Sequence, residues 1–328
     1  MQVLLLANTF HQLKPDSPSS PRTPRNSLQY PASSHDDTYL CSKDFSMQNP
    51  QYHSLIKAAL AEDIGSGDHS SNCAFPEGTQ GEMKLLVKEE GILAGIAAAQ
   101  EVFAMVDAEI EMELLLKDGD AVKPGDIAFR LKGPAHSLLQ GERLALNLMQ
   151  RMSGIATKTR RLVDTISHTK AKLLDTRKTT PHLRVFEKEA VRVGGGQNHR
   201  FGLYDMIMLK DNHIDFAGGV KQAIQKAIEY KSANNLDIPI EVEVRNFGEL
   251  ADVLESEGVL RVMFDNFSVA DTRKAVQLVN GQIQTESSGG ITGDTLVAYA
   301  ETGVDFISMG ALTHSVMGLD MSLKTILR

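Results

Sequence analysis

Apolar positions along the chain fall into a rhythm only from about residue 51. Tyr52, Leu55, Ile56, Ala59 and Leu60 recur at helical spacing. Beyond them Met83–Lys88, Gly91–Gly95 and Glu111–Lys117 read as strands, with a helical stretch over Ala97–Val106. The run Asp118–Asp126 is punctuated by turn residues and predicts a loop between two strands. An amphipathic helix over Ser137–Met152 follows, with Leu138, Leu139, Leu144, Leu148 and Met149 apolar. After Gly154 the pattern becomes strand, loop, helix, repeated. Strands are predicted at Lys172–Leu174, Met206–Leu209, Ile240–Val244, Arg261–Phe264, Gln282–Glu286 and Phe306–Ser308. Helices lie between most of them, as at Val220–Tyr230, Phe247–Glu257 and Asp271–Val279. This alternation predicts parallel strands with crossover helices, in an open doubly wound sheet or a (β/α) barrel.

The first 46 residues are different. They hold five of the 11 prolines, eight serines and none of the 26 glycines, and show no apolar period. Such a segment cannot offset the entropy of ordering and reads as a disordered tail. Val3–Ala7 is too short for a signal-peptide core and follows no basic residue. Met47, just before the first ordered pattern, favours a later start over a transit peptide. No apolar run approaches the length of a membrane span.

Polar groups decide between the two architectures. The first C-terminal strand runs into Asp175-Thr-Arg-Lys-Thr-Thr-Pro181, the second into Lys210-Asp-Asn-His213. The third carries Glu241 and Glu243, the fourth ends at Asp265-Asn266, the fifth at Ser288-Gly-Gly290 and the sixth at Gly310, with His314 beyond. In a barrel these ends converge on one rim, where such folds place their active sites; an open sheet spreads them along an edge. The barrel accounts for them better.

Charge sharpens the picture. The chain of 328 residues has 34 Lys+Arg against 42 Asp+Glu, a net −8. The tail is neutral, so all of this belongs to the ordered part. An acidic chain is a poor partner for nucleic acid. Yet between residues 175 and 213 seven Lys/Arg face five Asp/Glu. A basic pocket in an acidic protein suits a small polyanion. Arg177 and Arg200 can each grip a carboxylate through two parallel hydrogen bonds; ordinary surface charge is the competing reading. Ser288-Gly-Gly290 after a strand and before a helix suits a phosphate, though turn glycines read the same way. Glu243 and Asp265 suit Mg²⁺, with an acid–base pair or plain capping carboxylates as rivals. His199, His213 and His314 lack the spacing of a helical zinc pair. Cys41 and Cys73 give neither a metal motif nor a disulfide framework, which fits a cytoplasmic location.

Nine ordered motifs resemble one family. They are Glu142-Arg143-Leu-Ala-Leu-Asn147, Ser153-Gly-Ile-Ala-Thr157, Asp175–Pro181, Gly194-Gly-Gly-Gln-Asn-His-Arg200, Leu209-Lys-Asp-Asn-His213, Glu241-Val-Glu243, Asp265-Asn266, Ser288-Gly-Gly-Ile291 and Ser308–His314. Together, over about residues 51–328, they resemble the decarboxylating quinolinate phosphoribosyltransferases. Beyond the tail over 1–46, which the likeness omits, the resemblance implies an α/β fold: an N-terminal α/β sandwich domain over 47–153, and an open, incomplete (β/α) barrel over 154–310. It also implies that 311–328 packs back on the first domain through a last helix near Leu319–Leu327. The implied reaction joins quinolinate to phosphoribosyl pyrophosphate with Mg²⁺, releasing nicotinate mononucleotide, CO₂ and pyrophosphate.

By position, Arg177, His199, Arg200 and Lys210 resemble the quinolinate cradle, with Thr176 and Lys178 beside it. Arg143 resembles an arginine donated by a neighbouring subunit, which implies a homodimer or larger homo-oligomer. Glu243 and Asp265 resemble the ribose- and metal-facing carboxylates, with Lys178 and Lys210 as the other catalytic candidates. Ser288, Gly289, Gly290, Gly310 and His314 resemble the phosphate site. The sequence departs from the family pattern at Asp68-His-Ser-Ser71, His182 and Phe264, none of which removes a charged group. A transferase acting on a related aromatic acid, an aldolase using Lys210, or a non-catalytic phosphoribosyl-compound binder are the alternatives.

Overall fold

The computed structural model describes residues 50–326. The tail read over 1–46 and the terminal Leu327 and Arg328 lie outside the described residues. The N-terminal part comprises α1 (Pro50–Ile64), α2 (His69–Ala74), β1 (Gln80–Val87), β2 (Gly91–Ile92), α3 (Ile96–Val106), β3 (Glu111–Leu114), β4 (Ala121–Val122), β5 (Ile127–Pro134) and α4 (Ala135–Thr165). The rest comprises β6 (Lys172–Leu174), α5 (Arg184–Val193), β7 (Ile207–Leu209), α6 (Asp211–Ala217), α7 (Val220–Ala233), β8 (Ile240–Val244), α8 (Phe247–Leu254), β9 (Arg261–Asp265), α9 (Val269–Val279), β10 (Gln284–Ser288), α10 (Gly293–Ala300), β11 (Phe306–Ser308), α11 (Ala311–His314) and β12 (Met321–Thr325).

One sheet has the order β12-β1-β5-β3, with every pair antiparallel. Its strands alternate: Met83, Leu85 and Val87 of β1 are buried, as are Met321 and Leu323 of β12, while Arg130 and Lys132 of β5 face out. That is the expected signature of a sheet with one face on the core, here covered by α3 and α4. The segment near Leu319–Leu327, expected as a helix, is instead mostly strand β12, paired Leu323 to Leu85 and Met321 to Val87. Alternation of apolar Met321 and Leu323 with polar Ser322 and Lys324 fits an edge strand, whereas a helix would scatter the two apolar groups around its circumference.

Helix α4 is longer than its apolar pattern predicts, running unbroken through the expected junction at 153–154 to Thr165. The motif Ser153–Thr157 explains why. Ser153 Oγ donates to the Ala94 carbonyl at 3.0 Å and accepts from its N–H at 2.9 Å; Thr157 Oγ1 accepts from Ile92 N–H at 2.8 Å. Gly154 lies so close to the Met317 carbonyl that a Cβ would overlap it. This stretch is therefore a seam on which the β2 edge and the chain returning from α11 are both seated.

The second sheet has six strands in the order β6-β11-β10-β9-β8-β7, all pairs parallel. It is an open barrel, with an isolated bridge from Leu174 to Gln197 at the gap side of β6. All five positions of β8 are buried, as a strand covered on both faces requires. The fifth strand lies two residues later than its apolar pattern predicts, because Ser287 and Ser288 continue the ladder to Asp265. Asp305, just before β11, sets the register with β10: its Oδ2 accepts from Thr285 N–H at 2.9 Å and Oγ1 at 2.7 Å, and Lys170 Nζ donates to Oδ1 at 2.6 Å.

Two outcomes follow from this packing. Leu323→Ala should cost about 2–4 kcal/mol in urea unfolding, while Lys324→Ala stays within about 0.5 kcal/mol. Burial pushes the Asp305 carboxyl up, but its bonds to Lys170 and Thr285 outweigh this and hold it below the ordinary value. A depressed carboxylate stabilises the fold above its unfolded pKa and loses that contribution as pH falls through the folded pKa. The stability gap between wild type and Asp305→Asn, followed by thermal unfolding, should be widest near neutrality and shrink below about pH 4.

Candidate active site

In a parallel sheet every strand delivers its C-terminal end to the same edge. That edge here collects Arg177 and Lys178 after β6, Lys210 after β7, Glu243 in β8, Asp265 ending β9, Ser288–Gly290 after β10 and Gly310 after β11. Lys210 Nζ donates to Glu243 Oε2 at 2.6 Å, joining the ends of β7 and β8. Asp265 is half-buried, and its Oδ2 accepts from Asn266 Nδ2 at 3.0 Å.

Glycines shape the far side of the rim. Gly289 and Gly290 have φ of +92° and +62°, so the chain leaves β10 in a conformation that other L residues adopt only at a cost. A Cβ at Gly289 would also overlap the Asn266 side chain. Gly310 is equally confined: a Cβ there would come within 2.9 Å of Lys178 Cδ and 3.1 Å of His314 Cδ2. Lys178, Gly310 and His314 thus share one corner, closed by Thr313 Oγ1 donating to the Lys178 carbonyl at 2.8 Å.

Two cations of α4 hold this corner. Lys158 Nζ donates to the carbonyls of Ala311 at 2.6 Å and Ser315 at 2.7 Å. Arg151 Nη2 donates to the Thr313 carbonyl at 2.6 Å and to buried Glu187 Oε1 at 2.8 Å, and Glu187 Oε2 accepts from Thr180 N–H at 3.1 Å. Reading strand ends alone misses these groups, because they reach the rim from the long helix.

Below the rim the turn after α5 is fastened by buried charge. Lys188 and Asp175, both without exposure, form an ion pair. Lys188 Nζ also donates to the His199 carbonyl at 2.9 Å, and Asp175 Oδ1 accepts from the His199 N–H at 2.9 Å. Burial pushes the Asp175 carboxyl up to about 6, against the opposing pull of Lys188. Arg200 is buried, and its Nη1 donates to the Met206 carbonyl at 3.2 Å. Burial first, then the Arg177 charge, depresses the Arg200 pKa. Two guanidinium groups set against each other are relieved when an oxyanion sits between them.

The His199 ring faces protein on both sides. Its Nδ1 accepts from Arg200 N–H at 2.7 Å, while Nε2 lies 2.9 Å from Glu241 Oε2 and 3.5 Å from Glu286 Oε2. Glu286 is in turn 2.8 Å from Arg261 Nη1. Burial and the neighbouring Glu241 charge push the Glu286 carboxyl up to about 7, against His199 and Arg261. Burial lowers the His199 pKa, but Glu241 and Glu286 outweigh it and raise it. Glu286 and Arg261 escape the sequence reading because polar residues at alternate strand positions imitate a solvent face.

Other expected site residues lie apart. Arg143 is exposed on α4 and, among the described residues, makes no hydrogen bond or ion pair with the rim. Thr176 Oγ1 accepts from Lys178 N–H at 3.0 Å and shapes the loop. His213 Nδ1 accepts from Lys210 N–H at 3.0 Å, which caps α6. The three histidines weighed for zinc are not gathered. His199, Glu241 and Glu286 do place ligand atoms within 4.8 Å of one another, but Arg261 already answers the Glu286 charge. Glu243 and Asp265 stand at the rim on the neighbouring strands β8 and β9, with Lys210 on Glu243.

Comparisons with known proteins agree with this architecture. Residues 68–153 match the model of the quinolinate phosphoribosyl transferase N-terminal domain, and residues 155–324 that of the C-terminal domain. The chain is 46% identical over 285 residues to a chloroplastic nicotinate-nucleotide pyrophosphorylase [carboxylating] of Arabidopsis thaliana, covering 82% of this chain and 81% of that protein. It is 45% identical over 281 residues to a probable nicotinate-nucleotide pyrophosphorylase of Bacillus subtilis, covering 86% and 96%. The solved nicotinate-nucleotide pyrophosphorylase of Francisella tularensis superposes with a TM-score of 0.80 at 41% identity, over 85% of this chain and 97% of that one. With both domain models matched in order and a solved relative sharing the whole architecture, the chain belongs to the quinolinate phosphoribosyl transferase family.

Proposed function

We propose that this chain transfers the phosphoribosyl group of phosphoribosyl pyrophosphate to quinolinate with loss of CO₂, forming nicotinate mononucleotide for de novo NAD synthesis. The observation that carries the reading is what one rim gathers: Arg177 beside Arg200, Lys210 on Glu243, Asp265 on the next strand, and the corner of Lys178, Gly310 and His314. Quinolinate is a dianion, so a cluster of cations neutralises both carboxylates. Each charge-assisted hydrogen bond is worth about 1.5–3 kcal/mol. The glycine turn at 289–290 and the corner around Gly310 suit the sugar phosphate.

The chemistry then follows from placement. The pyridine nitrogen attacks the ribose anomeric carbon as pyrophosphate departs, and Glu243 and Asp265 stabilise positive character developing on the ribose. Lys210 rests on Glu243; a substrate carboxylate offers that ammonium a second anion and frees the glutamate to face the ribose. Mg²⁺ at Glu243 and Asp265 would neutralise pyrophosphate charge. Loss of CO₂ leaves the bonding electron pair on a ring carbon, stabilised by the nearby cations and the ring nitrogen's new positive charge until a proton from solvent takes the carboxylate's place. Positioning and electrostatics do the rest.

Arg143, exposed on α4 and without a hydrogen bond or ion pair to the rim among the described residues, supports a homodimer in which it is donated to a second copy. No helix among the described residues is long and apolar enough to cross a membrane. The two cysteines support a cytoplasmic location, against which the chloroplastic label of the Arabidopsis relative sets an organelle.

The direct test is product analysis with quinolinate, phosphoribosyl pyrophosphate and Mg²⁺: release of CO₂ with nicotinate mononucleotide is expected, and nicotinate alone should not replace quinolinate. Arg177→Ala should raise the quinolinate KM about 10–100-fold, the loss of about 1.4–2.7 kcal/mol, while the phosphoribosyl pyrophosphate KM changes little. Equal loss of both substrates would contradict the cradle. Asp265→Asn should lower kcat and flatten its dependence on Mg²⁺; an unchanged Mg²⁺ titration would remove Asp265 from that role.

A further inference from the structure

Barrel interiors are ordinarily filled by branched apolar side chains. Here the layer beneath the rim is ionic. Glu241, Arg261 and Glu286 have no exposure and His199 has 5%. Arg261 is fixed on several sides: Nη1 on Glu286 Oε2 at 2.8 Å, Nε and Nη2 on Gln284 Oε1 at 3.2 and 3.0 Å, and its guanidinium 3.9 Å from the Phe306 ring centroid. Glu286 is thereby fixed as well. Among the described residues, His199 is the basic group in ion-pair contact with Glu241.

Burying four ionisable groups is a poor way to gain stability, since well-packed apolar residues of similar volume often do as well or better. The cluster makes sense through what it orients. An imidazole that accepts at Nδ1 carries its proton on Nε2. His199 accepts the Arg200 N–H at Nδ1, and the Glu241 carboxylate lies 2.9 Å from Nε2, off the line of a hydrogen bond but close enough for its charge to favour the proton on that nitrogen. The Arg200 guanidinium is held separately, on the Met206 carbonyl.

We infer that Glu241, braced by Glu286 and Arg261, is a positioning residue for the anion-binding arginines: it holds the His199 proton on Nε2, so that Nδ1 anchors the backbone of Arg200. The inference rests on reading Arg177 and Arg200 as the quinolinate cradle. Glu241 touches no substrate in this account; it acts through His199. It shares strand β8 with Glu243, two positions along the same face, so one strand carries both the support for one substrate and the carboxylate for the other.

The test uses Glu241→Gln in the full chain, with Glu241→Asp as a milder second variant. The quinolinate KM should rise on the order of 10-fold, as when a partner that orients a ligand is lost, with the phosphoribosyl pyrophosphate KM little changed. In an Arg200→Lys background the same substitution should add almost nothing. Long-range ¹H–¹⁵N spectra of the wild-type protein should show the Nε2–H tautomer for His199, and Glu241→Gln should mix the two tautomers. An Nδ1–H tautomer in wild type, an equal rise in both KM values, or additive effects with Arg200→Lys would overturn the inference. So would a stoichiometric metal in the purified protein that Glu241→Gln loses, because the three groups would then be its ligands. The tautomer is read without turnover, so a chain that fails to use quinolinate would sink the proposed reaction separately.

Discussion

The ion pair of Lys188 and Asp175 supports more of this molecule than its size suggests. Asp175 stands where β6 becomes the basic loop, and Lys188 comes from α5 beneath it. Between them they take the N–H and the carbonyl of His199. One buried pair therefore fixes the end of a strand, the face of a helix and the turn that presents Arg200. Breaking such a pair strands a charge without solvent, at about 3–5 kcal/mol. That penalty is what lets two arginines be held near each other: the frame must be stiffer than their repulsion.

The distribution of charge follows from the same economy. The chain is acidic overall, yet its cations gather at one rim and are stationed in three ways. Arg177 and Lys178 stand exposed, Lys210 leans on Glu243, and Lys158 and Arg151 are consumed by carbonyls of the α11 segment. In the proposed reaction the first two groups, together with Arg200, answer to a substrate. Arg151 and Lys158 carry the same formal charge but are committed to holding the corner with Gly310 and His314. A count of basic residues cannot distinguish these duties, whereas hydrogen-bond partners can.

Much of the fold was legible because its signals were local. Strands β6, β8 and β11 lie where their apolar runs put them, and most rim residues were legible because they lie at a strand's end or just past it. The departures have common causes. Helix α4 runs past Met152 because Gly154 and Thr157 serve a seam with distant segments, which no short window reveals. The β12 segment carried its own alternation at Met321 and Leu323, and family likeness argued against it. Glu286 and Arg261 were hidden because closure turns alternate polar positions inward; the letters are those of a wetted strand. His213, a member of the Leu209–His213 motif to which the sequence assigned no role, caps a helix.

The pairing of β1 with β12 has a consequence for the order of assembly. Residues 83–87 of the first sheet pair with β5 on one side, but find the partners for their other side at 321–325, after every strand of the second sheet has been made. On the ribosome the N-terminal sheet must therefore wait with an unpaired apolar-faced edge until the barrel is nearly complete, and exposed edges of that kind invite wrong partners. The strand that finally covers it enters along the α4 seam, held by Leu319 N–H on the Gln150 carbonyl and Gln150 Nε2 on the Met321 carbonyl. Maturation of the first layer is thus timed by synthesis of the last, and a chain halted before residue 321 keeps an adhesive edge.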